Sequence, residues 1–70
     1  MKTWMHVFSE AYMTPEETRN ETGLSLQTIL DARNEKQIPE ADGRKLLRCL
    51  NSRLATPVRI TEFGNIVWEV

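Results

Sequence analysis

Cysteine occurs once in these 70 residues, and histidine once. Cys49 alone can form no internal disulfide, so no covalent staple is expected. Its place in the apolar run LLRCLNSRL suits a packed structural thiol rather than a reactive one. His6 has no companion for a metal site, and Glu10, one helical turn on, is expected to make only a weak surface ion pair with it. There is no glycine-rich phosphate loop and no nucleophile-and-base spacing. The carboxylates fall on expected solvent faces, and a body this small has little room for a substrate cavity. A protein that is not an enzyme is expected, with no cofactor, no metal and no small-molecule substrate. Also missing is any stretch near the roughly 20 apolar residues of a membrane span. MKTWMHVFSE lacks the apolar h-region and small-residue cleavage site of a signal peptide. A cytoplasmic protein without a membrane partner is expected.

Charge of one sign is lacking in total but not locally. The net charge is −1, yet residues 1–32 hold Lys2 and Arg19 against Glu10, Glu16, Glu17, Glu21 and Asp31. Residues 33–59 hold Arg33, Lys36, Arg44, Lys45, Arg48, Arg53 and Arg59 against Glu35, Glu40 and Asp42. Two readings of that asymmetry stand open: ordinary solvated helix faces, or one positive face able to meet a polyanion. The length allows one domain. A chain this short buries only about 60% of the surface its unfolded form exposes, so self-association is the remaining aid to stability.

What is present reads as four short helices and a hairpin. Trp4, Val7, Phe8, Ala11 and Tyr12 recur at the spacing of one helix face, which predicts a helix over residues 3–12. Thr14 then caps, Pro15 suits a first helical position, and Glu16 and Glu17 favour the positive end of the dipole, which predicts a helix over 14–22 closed by Gly23. Ser25 caps a third helix over 25–34, with Ile29 and Ala32 inward. QIPEADG connects to a fourth helix over 40–54 with Leu46, Leu47, Cys49, Leu50 and Leu54 as its stripe, and Gly43 is a weak spot in its first turn. PVRITEFGNIVWEV changes to an alternating period. With Phe63, Gly64 and Asn65 as the loop, a hairpin over 58–70 would face Ile60 with Trp68, Val58 with Val70 and Arg59 with Glu69. The expected fold is mainly α with a small β part, a four-helix domain followed by a C-terminal β-hairpin.

A short helix, a tight turn and a second helix opened by Ser25 match a helix-turn-helix. MTPEETRNETGLSLQTILDARNEKQIP followed by KLLRCLN resembles the Cro/CI-type (XRE) helix-turn-helix DNA-binding family. In that resemblance MTPEE is similar to the start of helix two, TGLS to the turn, QTIL to the core of the recognition helix and RNEKQIP to the exit loop. The chain departs from the family pattern at several positions. Thr18 and Arg19 stand where Leu-Ala is usual, Pro15 where a phosphate-binding glutamine is frequent, Arg33 at a usual glutamate and Glu35 at a usual glycine. The resemblance implies a small dimeric transcriptional regulator of the Cro-like repressor kind, with double-stranded DNA as partner. It implies Leu26, Gln27, Leu30 and Asp31 on the groove-facing side of helix three, and phosphate contacts from Thr28, Asn34, Lys36 and Arg44. A small core and an apolar last strand place a homodimer contact at Ile66, Val67, Trp68 and Val70. Two other readings remain: an excisionase-like architectural factor using the hairpin as a wing, and an antirepressor or other interaction module that does not bind DNA.

Overall fold

A computed structural model of the chain describes residues 1–64 and 66–69. Among the described residues four helices appear in order, α1 (Trp4–Ala11), α2 (Pro15–Thr22), α3 (Leu26–Arg33) and α4 (Glu40–Asn51), followed by a 3-10 turn at Ile60–Phe63. The starts of α2 and α3 follow the caps legible in the sequence, while α4 begins after Pro39 with no side-chain cap. The Thr3 and Ser25 hydroxyls accept from the third backbone N–H of α1 and α3. Thr14 and Glu17 form a full capping box at α2, with Pro15 as its first residue. Those bonds, the Thr14 backbone N–H first, hold the Glu17 carboxyl below the usual carboxylate range. Gly23 closes α2 at φ 76°, the left-handed conformation that lets the chain turn within three residues into α3.

The helices enclose one core in which Val7, Ile29, Leu46 and Leu50 are the most deeply buried aliphatics, together with Trp4, Phe8, Met13, Ile38, Leu47, Val58 and Phe63. Helix α2, PEETRNET, has no large apolar residue to contribute. It is packed instead through Thr18 and Thr22, whose methyls are buried and whose hydroxyls donate to the carbonyls of Thr14 and Thr18 at 2.9 and 2.7 Å. A threonine that bonds its own helix backbone presents a small, satisfied surface, which is what a close crossing of two short helices needs.

Three expectations are corrected. Tyr12 is not part of the α1 stripe. The helix ends at Ala11, and Tyr12 takes a left-handed φ of 54° that turns its ring outward, 90% exposed. Helix α4 stops at Asn51, not at 54, and Leu54 packs on the core from the following loop, half-buried. The reason is Asn51 itself, whose amide donates to the Val58 carbonyl and accepts from the Val58 N–H, both at 2.9 Å, tying the returning chain to the helix end.

The third correction concerns the hairpin, which is absent: among the described residues there is no sheet. Both backbone groups of Val58 are taken by Asn51, so no ladder can start there. The next residues wind into the 3-10 turn, drawn in by Phe63, whose ring packs 4.6 Å from that of Trp4. The last residues return instead across the start of α4. The Glu69 N–H donates to the Ile38 carbonyl at 2.9 Å, and a lone parallel bridge joins Pro39 to Glu69. Val70, expected opposite Val58, lies outside the described residues. Gly43, expected as a weak spot, is where this segment docks: a Cβ there would lie 2.3 Å from the Trp68 ring. Among the described residues no helix is long and apolar enough to cross a membrane.

Candidate nucleic-acid interface

Helix α3 buries Ile29 and Ala32 and lays Arg33 over the Phe8 ring, its guanidinium carbon 5.9 Å from the centroid; its remaining positions are half-buried or exposed. Gln27 is exposed, while Leu26, Leu30 and Asp31 are half-buried. The four expected groove-facing residues therefore share the side that the core leaves open. Two of them are in contact: Gln27 Nε2 donates to Asp31 Oδ1 at 2.8 Å, as the four-residue spacing allows. In this arrangement the second amide hydrogen and Oε1 of Gln27 make no hydrogen bond among the described residues. An eight-residue helix is about 12 Å long, comparable to the roughly 12 Å width of a B-DNA major groove.

The four expected phosphate contacts fall in three places. Thr28 lies in the first turn of α3, and its hydroxyl is bonded to Ser25 Oγ at 2.9 Å. Asn34 caps the C-terminus of α3 and is exposed, its N–H donating to the Leu30 carbonyl. Lys36 follows in the exit loop, exposed, its N–H donating to the Asp31 carbonyl at 2.8 Å. Arg44 is on α4 and is committed to Glu40 at 2.8 Å, so its charge is partly spent. Between Asn34 and Lys36, Glu35 has a φ of 62°, a left-handed backbone in a residue other than glycine.

The expected dimer residues divide. Trp68 is half-buried on Gly43 of its own chain, Ile66 is half-buried against the core, and Val67 is 66% exposed. Ile66 and Val67 line a cavity of about 320 Å³ together with Met1, Trp4, Lys36 and Phe63. The wing that an excisionase-like factor would need has no counterpart among the described residues. His6 and Glu10 do pair, at 2.8 Å on the surface. Cys49 is half-buried, and burial pushes its thiol pKa up, with Glu21 adding to the effect and Arg53 opposing it.

Two features of the surface depart from the places the sequence suggests for their residues. Arg59 joins Arg44 and Arg48 around one shallow groove, because the 3-10 turn folds back beside α4. The Arg44–Arg48 spacing was visible in the sequence, but the approach of Arg59 was not. The other is Tyr12, whose exposure follows from a helix end that its apolar spacing conceals. No family model matches the chain, and no curated protein or solved structure is found to be similar to it.

Proposed function

We propose that the protein is a small dimeric, sequence-specific DNA-binding transcriptional regulator, a Cro-like repressor that inserts α3 into the major groove. The observation that carries this reading is the Gln27–Asp31 pair on the outward side of α3. With one amide hydrogen held by Asp31, Gln27 offers the remaining N–H to donate to adenine N7 and Oε1 to accept from the adenine N6 amino group. Glu35 adds support, because its left-handed backbone falls where the Cro/CI-type family usually has glycine. The molecule's longest extent is 26 Å. That is short of the roughly 34 Å between successive major-groove entries on one side of a duplex, so a two-part operator needs two copies. Exposed Val67 with Ile66 is the proposed centre of that two-fold contact.

Selection of binding sites from a random duplex pool, followed by affinities on the selected and a scrambled duplex, tests the reading. Gln27→Ala is expected to cost about 1–3 kcal/mol on the selected site and much less on the scrambled one. Its thermal stability should stay within about 0.5 kcal/mol of the parent. Asp31→Asn should raise affinity for scrambled DNA by removing a carboxylate near phosphate, and lower discrimination. Equal losses on both duplexes, or no duplex selected at low salt, would overturn the reading in favour of an antirepressor-type interaction module.

A further inference from the structure

The groove between α4 and the 3-10 turn has a volume of about 460 Å³ and is walled by Arg44, Leu47, Arg48, Asn51, Arg59 and Ile60. Its floor is apolar, since Leu47 is buried and Ile60 half-buried beneath the three arginines. Arg44 is paired with Glu40, while the guanidinium groups of Arg48 and Arg59 make no ion pair among the described residues, although the Arg59 backbone N–H donates to the Glu62 carboxylate at 2.7 Å. A phosphate backbone would satisfy such a rim and leave the floor wet. The chemistry suits an aromatic or apolar side chain flanked by carboxylates.

The chain itself carries such a group. Tyr12 is 90% exposed and held in a left-handed backbone at φ 54°, a conformation that is costly for a tyrosine and here packs its ring against nothing in its own fold. Glu10 precedes it, paired with His6 at 2.8 Å and Lys2 at 3.8 Å through one oxygen, and Glu16 follows at the start of α2 with no ion pair among the described residues; both are exposed. Tyrosine and arginine are the side chains on which small interfaces most often concentrate their binding energy. The two surfaces share no residue, so every copy presents both at once.

We propose that Tyr12 of one copy, flanked by Glu10 and Glu16, docks in the Arg44–Arg48–Arg59 groove of a second copy, head to tail. The exposed Glu10 and Glu16 of one molecule then meet the exposed Arg48 and Arg59 of the next, a complementarity that steers encounter and fixes orientation. The contact joins unlike surfaces, so it continues beyond two copies unless its rotation closes a ring. Being small, it belongs to the weak, transient class. It is separate from the two-fold contact at Val67 and does not depend on DNA.

Sedimentation of the full chain at hundreds of micromolar, in low and in high salt, tests it. The weight-average mass is expected to climb with concentration beyond two copies at low salt and to fall back at high salt. Tyr12→Gly should abolish the climb while raising the melting temperature, because glycine tolerates φ 54°, which separates loss of contact from loss of fold. The Arg48→Glu, Arg59→Glu variant and the Glu10→Lys, Glu16→Lys variant should each lose the climb alone and regain it when mixed. The proposal is overturned by a wild-type mass that stops at two copies, by a climb that survives either charge reversal, or by a mixture that fails to restore it. A groove reversal that spares self-association and weakens DNA binding would assign the groove to phosphate and overturn it equally.

Discussion

At Glu35 the backbone holds a glycine-type conformation with a side chain that gains little from being there. Its φ is 62°, and its carboxylate accepts one long, exposed hydrogen bond, from the Met5 N–H at 3.4 Å. A non-glycine residue in this region costs on the order of 1 kcal/mol or more. An exposed bond at that distance contributes well below the roughly 1 kcal/mol of a good one. Backbone strain wins. Glu35→Gly is therefore expected to stabilise the protein by about 0.5–1 kcal/mol, after the extra freedom glycine has in the unfolded chain is subtracted. In a domain this size that raises the melting temperature by a few degrees, on the order of 4–8 °C per kcal/mol. Thermal unfolding followed by far-UV circular dichroism reads it, and an unchanged or lower midpoint would show that the carboxylate outweighs the strain.

Helix α4 inverts the usual rule for a glycine among helix residues. Replacing glycine by alanine inside a helix ordinarily stabilises by about 0.5–1 kcal/mol. At Gly43 the added methyl would fall 2.3 and 2.6 Å from two Trp68 ring atoms, so the indole must leave. Trp68 is one of the few side chains through which the last residues hold to the core, beside Ile66 and the Glu69–Ile38 hydrogen bond. Gly43→Ala should accordingly destabilise the protein and expose Trp68 to an aqueous quencher, and Trp68→Ala should turn the same substitution stabilising. A quenching and melting comparison of the two single variants and the double variant tests the coupling. Additive effects would mean that Trp68 does not rest on the helix.

For the whole molecule the question is whether a chain of net charge −1 can meet the polyanion proposed as its partner. The separation of acidic and basic halves makes the local field matter more than the sum. If DNA is the partner, log affinity should fall linearly with log salt at a slope of about −0.9 per phosphate neutralised. The two basic residues named for phosphate are not equivalent. Lys36 is exposed with no ion pair among the described residues, so Lys36→Ala should flatten the slope by about one unit and weaken all sequences alike. Arg44 already shares its charge with Glu40 at 2.8 Å, so Arg44→Ala should flatten it by less. Titrations at several salt concentrations give both numbers, and a wild-type slope near zero would leave the basic half as solvated surface.

Local chemistry determined the helices. Thr14 and Ser25 as caps, Pro15 at a first position and Gly23 at a helix end act within three or four residues of themselves, and the structure shows each where its short-range bonding dictates. Apolar spacing likewise marked Ile29 and Ala32 as inward, and so left Gln27 and Asp31 on the open side of α3. The C-terminal segment was decided by contacts across the fold. Its alternation suits a strand, but Asn51 takes both backbone groups of Val58, Phe63 is drawn against Trp4, and Trp68 finds the one place on α4 without a side chain. Each of those contacts joins residues from separate elements, and its energy exists only once the helices have assembled. Tyr12 and the three-arginine groove belong to the same class: a period of 3.6 does not show where a helix stops, nor which later arginine folds back beside it.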